Sequence, residues 1–101
     1  MLRGNRVIKI DDARYEVTVD GKEVHLAPKE FDLLLALYKK DGKVASREEL
    51  ADEIWGERAK ANAIDSRTVD QHIARLRIKL GKRRDAIQTI QTRGYKFNKR
   101  A

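Results

Sequence analysis

The sequence has 101 residues, one proline and no cysteine, a length that suits one compact domain and a composition that excludes disulfides and thiolate metal sites. Lys and Arg number 23 against 16 Asp and Glu, so the formal net charge is +7. The longest apolar run, residues 33–37, is too short to cross a bilayer, and no apolar leader follows Met1. We therefore expect a cytoplasmic protein with no membrane partner and no cofactor.

The charge is distributed unevenly along the chain. Residues 1–65 carry 12 basic and 14 acidic side chains, whereas residues 66–101 carry 11 basic and only 2 acidic ones. Solubility alone does not require all the excess cation in the last third. This asymmetry indicates a polyanion that faces the C-terminal part of the chain.

The N-terminal quarter predicts a small antiparallel sheet. Residues 1–6 carry no pattern and are predicted to be a linker remnant or a disordered start, so the domain is expected over residues 7–99. A first strand is predicted around Ile8 and Ile10, and a second where apolar residues alternate through Val19. The dipeptide Asp20-Gly21 is a tight-turn signal, because glycine accepts the positive φ that such a turn needs. The apolar residues of these strands are Val7, Ile8, Ile10, Tyr15, Val17, Val19, Val24 and Leu26.

Two helices are predicted next. The first begins at Pro28, since proline suits the first turn of a helix, and it ends near Gly42. Its inner face has the helical spacing of Phe31, Leu34, Leu35 and Tyr38. The second begins with the capping box of Ser46 and Glu49 and ends near Trp55-Gly56, with Leu50, Ala51 and Ile54 facing inward. Residues 57–65 are predicted to form a loop, either irregular throughout or with one helical turn inside it.

The third helix has the clearest pattern. Asp65 or Ser66 caps it, and Gly81 ends it. Its core stripe consists of Val69, Ile73, Leu76 and Leu80, all at helical spacing. A basic loop, Lys82-Arg83-Arg84, then leads to Ile87-Gln88-Thr89-Ile90. A turn and the segment Tyr95-Lys96-Phe97 follow, which predicts a β-hairpin with Tyr95 and Phe97 facing inward.

The outward face of the third helix is suited to nucleic acid. Opposite the core stripe the helix presents Arg67, Gln71, Ala74, Arg75 and Ile78, flanked by Thr68, His72 and Lys79 on one side and by Asp70 and Arg77 on the other. An α-helix fits the major groove of B-DNA, where arginine pairs with guanine and glutamine with adenine. At the turn of the hairpin, Arg93 is either a cation that enters an adjacent minor groove or a solvated turn residue, and the sequence favours neither. We therefore predict that the chain binds double-stranded DNA in a sequence-specific manner.

Several motifs resemble the winged-helix DNA-binding domain of OmpR/PhoB-type bacterial response regulators. They are Pro28-Lys29-Glu30-Phe31-Asp32-Leu33-Leu34, Ser46-Arg47-Glu48-Glu49-Leu50, Ile54-Trp55-Gly56, Ser66-Arg67-Thr68-Val69-Asp70, His72-Ile73, Arg75-Leu76-Arg77, Ile87-Gln88-Thr89-Ile90 and Gly94-Tyr95-Lys96-Phe97. They occur in the family's order over residues 7–97. The resemblance implies an α+β winged helix-turn-helix fold with an N-terminal four-stranded antiparallel sheet, three helices and a C-terminal β-hairpin wing. It also implies transcription regulation in a two-component system, with the third helix (about 66–80) in the major groove and the wing (about 87–97) near the minor groove.

The resemblance further implies roles for single residues. Contacts to the DNA backbone are implied for Arg47, Trp55, Arg67, Thr68, His72, Arg77, Thr89 and Tyr95. Base reading is implied for Asp70, Gln71, Ala74 and Arg75. Two positions depart from the family pattern: Ala27 replaces the threonine that usually caps the first helix, and Thr92 replaces a wing glycine and is followed by Arg93.

Other functions are less well supported by the sequence. A protein-interaction module that contacts RNA polymerase or a partner regulator through the 57–65 loop is the main alternative. An enzyme is not expected, because the two histidines are isolated and the chain has neither a nucleophile–base pair nor a phosphate-binding loop by spacing. The family resemblance also implies a receiver domain and tandem dimers on DNA as partners.

Overall fold

A computed structural model describes the backbone of residues 2–4, 7–57 and 64–98, and the side chains of the latter two ranges. Its elements are β1 (Leu2–Gly4), β2 (Ile8–Asp11), β3 (Glu16–Val19), β4 (Lys22–Val24), α1 (Pro28–Lys39), α2 (Arg47–Trp55), α3 (Ser66–Leu80), a 3-10 helix (Gly81–Ala86), β5 (Ile87–Ile90) and β6 (Gly94–Phe97). This is the predicted α+β winged-helix architecture. In the described part of the chain, every helix is too short or too polar to span a bilayer.

The N-terminal sheet is antiparallel, with the strand order β1-β2-β3-β4. Ile10 pairs with Val17, and both side chains are buried, which confirms the predicted inner face. The prediction of a linker over residues 1–6 is wrong for Leu2–Gly4, because these residues pair with β2. Their backbone groups satisfy the open edge of β2, and such pairing requires no hydrophobic alternation.

Tyr15 lies outside the strand in which the alternation predicts it. It occupies the turn before β3 with a φ of 54°, and its side chain is exposed. Its ring nevertheless packs on Phe31, with ring centroids 4.9 Å apart. An exposed tyrosine therefore covers one end of the core.

The helix termini follow the capping residues. Ala27 cannot cap α1 with its side chain, but the Glu30 carboxylate reaches back and accepts a hydrogen bond from the Ala27 N–H at 2.9 Å. The capping box of α2 is confirmed, since Ser46 Oγ accepts from the Glu49 N–H at 3.0 Å. Of the two candidates for α3, Asp65 is the cap, with Oδ1 accepting from the Thr68 N–H at 3.1 Å.

The core lies between the three helices, the N-terminal sheet and the inner side of the wing. All four residues of the predicted α3 stripe are buried. The predicted basic loop after α3 is the 3-10 helix instead. Of the 57–65 loop, residues 58–63 lie outside the described part of the chain.

The wing is fixed to the segment that precedes α2. Its two strands pair antiparallel, with Thr89 opposite Tyr95. Ala45 donates its N–H to the Tyr95 carbonyl at 2.8 Å and accepts the Tyr95 N–H at 2.9 Å. Tyr95 and Phe97 are buried, as predicted. The hairpin is therefore held beside the helix-turn-helix.

Candidate nucleic-acid interface

The outward face of α3 is accessible over its whole length. Arg67, Gln71, Ala74, Arg75 and Ile78 are all exposed, and Ile78 is 77% exposed. Within the described residues, no hydrogen bond or ion pair engages the side chains of Arg67, Gln71 and Arg75. A face of free cationic and amide donors is thus carried on a helix whose opposite side is fully packed.

Arg47 and Asp70 form an ion pair between α2 and α3. Arg47 is the first residue of α2, directly after the Ser46 cap, and its Nε donates to Asp70 Oδ1 at 2.7 Å. About a third of each side chain remains exposed. Two residues 23 positions apart are thereby brought together at the edge of the α3 face.

Tyr95 joins this pair from the wing. Its hydroxyl donates to the same Asp70 Oδ1 at 2.6 Å. Burial opposes ionisation of Asp70, but the hydrogen bonds from Tyr95 and Arg47 outweigh it and hold the pKa of this carboxyl below its ordinary value. Burial and the Asp70 carboxylate both raise the pKa of the Tyr95 hydroxyl. The group therefore consists of a carboxylate, a guanidinium and a neutral phenol at physiological pH.

Arg77 connects α3 with the first strand of the wing. Its Nε and Nη2 donate to the Ile87 carbonyl at 3.1 and 2.8 Å, and Nη2 also donates to Thr89 Oγ1 at 2.8 Å. The Arg77 guanidinium lies 5.6 Å from the centre of the Tyr95 ring, and that of Arg47 lies 5.9 Å from it. Both distances fall in the range of cation–π contacts.

His72, Thr68 and Trp55 meet at the other flank of α3. His72 Nδ1 lies 2.8 Å from the Thr68 carbonyl, so Nδ1 carries the proton and donates it. The imidazole packs edge-on against Trp55 with ring centroids 5.1 Å apart, and Trp55 is 9% exposed. The Nε2 atom of His72 makes no hydrogen bond with another described residue.

The tip of the wing is built on a left-handed residue. Thr92 has a φ of 60°, and Arg93 donates its N–H to the Ile90 carbonyl at 2.9 Å. The Arg93 and Thr89 side chains are exposed. The turn thus presents one cation next to Gly94.

The structure places the predicted site residues in three groups, one of which is the cluster of His72, Thr68 and Trp55. Arg67, Gln71, Ala74, Arg75 and Arg93 project freely, whereas Arg47, Asp70, Arg77, Thr89 and Tyr95 bond to one another or to the wing backbone. Sequence patterns did not indicate Ala45, whose backbone N–H and carbonyl both form hydrogen bonds with Tyr95 of the wing. They also missed Glu30, which is buried and ion-paired with Lys79. The Glu30 position in its helix, three residues after Ala27, is the one local signal that could have indicated it.

Known proteins similar to this chain are regulators of transcription. The family model described as transcriptional regulatory protein, C terminal, matches residues 21–97. The transcriptional regulatory protein SrrA of Staphylococcus aureus is 42% identical over 94 residues, which cover 89% of this chain and 38% of SrrA. The chain therefore spans less than half the length of the curated relatives that it matches.

Solved structures show the same architecture. The Klebsiella pneumoniae RstA DNA-binding domain, solved in complex with the RstA box, is 28% identical and superposes with a TM-score of 0.80 over 95% of both chains. The DNA-binding domain of Escherichia coli CpxR is 33% identical, with a TM-score of 0.80 over 96% of this chain and 95% of that one. The Thermotoga maritima OmpR/PhoB homolog DrrB is 34% identical, with a TM-score of 0.83 over 96% of this chain and 44% of DrrB.

Proposed function

Because the chain belongs to the OmpR/PhoB-type family of C-terminal domains of transcriptional regulatory proteins, we propose that it binds double-stranded DNA sequence-specifically to regulate transcription. The family is one of regulators, not of enzymes. One observation carries the proposal: α3 presents Arg67, Gln71 and Arg75 free and exposed on a face opposite its packed stripe. The similar RstA domain, solved with its RstA box, supports the same assignment.

In the proposed complex, α3 lies in the major groove. Gln71 and Arg75, one helical turn apart on the exposed face, meet base edges there, and exposed Ala74 lets the helix approach closely. Arg67, at the N-terminal end of α3, meets the phosphate backbone, as do Arg47 on one flank of α3 and His72 on the other. Phosphate contacts supply position and much of the affinity, while base contacts supply the choice of sequence.

The wing lies alongside, near the minor groove. Its attachment to Ala45 fixes where Arg93 projects. Thr89 and Tyr95 border the phosphates that flank this groove, and Trp55 and Thr68 border those near the start of α3. This arrangement needs no metal or cofactor.

Selection of bound duplexes from a random pool tests this function. The wild type is expected to enrich one motif. Arg75→Ala is expected to bind that motif with a loss of about 1–3 kcal/mol and to relax the preference at one base position. Arg14→Ala, which removes an exposed arginine from the turn before β3, serves as the matched control and is expected to leave affinity and motif unchanged.

Two outcomes would contradict the proposal. Failure of the wild type to enrich any motif would remove sequence-specific binding altogether. An Arg75→Ala variant with the wild-type motif and affinity would remove the base-reading role of α3. The same selection also tests tandem binding, because two copies on direct repeats would enrich the motif twice at a fixed spacing.

A further inference from the structure

Asp70 is an acidic residue at the edge of the cationic face of α3. It is the only acid between Asp65 and Asp85, and its side chain is half-buried at the edge of the face where DNA is proposed to bind. An unpaired carboxylate in that place would repel phosphates. A carboxylate at this position is therefore tolerated only if groups of the protein itself offset its charge.

The bonds of Asp70 supply that offset. Oδ1 accepts from Arg47 Nε at 2.7 Å and from the Tyr95 hydroxyl at 2.6 Å, and both distances are typical of charge-assisted hydrogen bonds. One carboxylate oxygen on α3 thereby holds a residue of α2 and a residue of the wing. The partners lie 23 and 25 positions away in the sequence.

The pairing at Nε determines where the rest of the Arg47 guanidinium points. The group is planar, so a bond at Nε and contact with the Tyr95 ring fix the direction of the two terminal amino groups. Among the described residues, the Arg47 side chain bonds to Asp70 through Nε and otherwise interacts only with Tyr95, so its two terminal amino groups keep N–H donors to spare. They remain available to an acceptor from outside the protein, such as a phosphate oxygen.

The same contact fixes the wing. The Tyr95 ring is buried and also lies under Arg77, which bonds to Ile87 and Thr89 on β5. Asp70 is thus the point at which α2, α3 and the wing are joined by side chains.

We propose that Asp70 is a positioning residue that orients Arg47 and the wing toward the DNA backbone, and that it does not read a base. The inference rests on the proposed DNA binding and replaces the base-reading role that family resemblance implies for this residue. This role predicts that loss of the Asp70 charge weakens DNA binding. Removing a negative charge from a DNA-binding face would otherwise strengthen it.

Asp70→Asn and Asp85→Asn provide the matched comparison, because each removes one negative charge from the basic third of the chain. Asp70→Asn is expected to bind the selected motif and unrelated duplexes about tenfold more weakly, by the same factor, with an unchanged motif. The slope of log affinity against log salt is expected to become shallower by about 0.9, the effect of one lost phosphate contact. Exposed Asp85→Asn is expected to bind as the wild type does or more tightly.

A second measurement uses the free protein. In the wild type, the Arg47 Nε–H resonance is expected to show slow exchange with water in 15N NMR, and in Asp70→Asn fast exchange. Tyr95→Phe removes only the hydroxyl and is expected to give a smaller loss of affinity, again equal for all duplexes. This variant tests the wing contact even if Asp70→Asn unfolds.

Three results would overturn the inference. One is a change of preference at a single base pair in Asp70→Asn with unrelated duplexes bound normally, because that is the behaviour of a base-reading residue. Another is an equal gain of affinity in Asp70→Asn and Asp85→Asn. The third is unchanged exchange of the Arg47 Nε–H in Asp70→Asn. Since the last result does not involve DNA, it separates failure of this inference from failure of the proposed function.

Discussion

Two residues at the tip of the wing, Gly94 and Thr92, both have a positive φ but differ in how strictly the position needs glycine. Gly94 has a φ of 140°, and a Cβ at this position would overlap the Ala45 carbonyl oxygen and lie 2.9 Å from Ser46 Cα. Thr92 adopts a left-handed φ of 60° although it carries a branched side chain, and its hydroxyl donates to the Gln91 carbonyl at 2.6 Å. The first position requires glycine because of close approach, and the second only prefers it.

Gly94→Ala is therefore expected to destabilise the protein by at least about 2 kcal/mol, since the strained φ and the overlap with Ala45 both oppose the folded state. Thr92→Gly is the matched control. The substitution removes the strain of a left-handed threonine in the folded state, but it also raises the conformational entropy of the unfolded chain. The two effects on the free energy of unfolding are expected to cancel within about 1 kcal/mol. Urea unfolding of both variants at pH 7 checks the prediction. Equal midpoints for Gly94→Ala and the wild type would mean that the wing does not need its contact with Ala45.

The residues that sequence patterns predict for the site are those whose role depends on one helix. Arg67, Gln71 and Arg75 follow from the period of α3, because the buried stripe defines the opposite face. The internal pairing of Asp70 could not be predicted, since its partners come from other elements through the tertiary fold. A local pattern gives the side of the helix on which a charge lies but not the group that neutralises it.

At the scale of elements, α1 and α3 are joined by an ion pair at the edge of the core. Lys79 Nζ donates to Glu30 Oε1 at 2.6 Å, and the same oxygen accepts the Ala27 N–H that a capping hydroxyl usually satisfies. Burial would raise the pKa of Glu30, but the hydrogen bonds from Lys79 and Ala27 prevail and hold it below its ordinary value. One carboxylate thus caps a helix and anchors another helix to it.

This pairing gives a pH-dependent contribution to stability. An unfolded glutamate titrates near pH 4.3, so the contribution is present in full above about that pH and is lost as the pH falls through the lower folded-state pKa. Glu30→Gln is expected to be less stable than the wild type by about 1–3 kcal/mol at pH 7 and to differ much less near pH 3. Thermal unfolding at both pH values measures this difference. The control, exposed Glu48→Gln, is expected to change little at either pH, and a Glu30→Gln gap that stays constant with pH would contradict the assignment.

The elements themselves were largely predictable, because their signals are local. Caps, tight turns and periodicity give α1, α2, α3, β2 to β4 and the hairpin of β5 and β6. The strand Leu2–Gly4 was not predicted, because a three-residue edge strand forms through backbone hydrogen bonds to its neighbour and not through a pattern in its own side chains. The 3-10 helix after α3 was not predicted, because its basic composition is typical of a loop.

At the scale of the whole molecule, some cations of the basic C-terminal third form ion pairs within the protein and others remain exposed. Arg83 forms a two-pronged bond with Asp20, linking the 3-10 helix to the N-terminal sheet across 63 residues of sequence, and this bond keeps the pKa of Asp20 below its ordinary value. Arg83 is thereby engaged within the protein, whereas Arg67, Arg75 and Arg93 are exposed. The free cations, not the total of +7, should set the response of DNA binding to salt.

The effect of a free cation near the DNA can be separated from the effect of net charge by two substitutions that each remove one positive charge. Arg93→Ala removes an exposed cation from the wing tip, and Lys22→Ala removes one from β4 in the N-terminal sheet. Arg93→Ala is expected to make the slope of log affinity against log salt shallower by about 0.9, because one fewer phosphate is neutralised, while Lys22→Ala leaves the slope unchanged. Fluorescence anisotropy titrations with the selected duplex at several salt concentrations provide both slopes. Equal changes in the two variants would show that overall charge draws the protein to DNA and that the wing tip does not reach it.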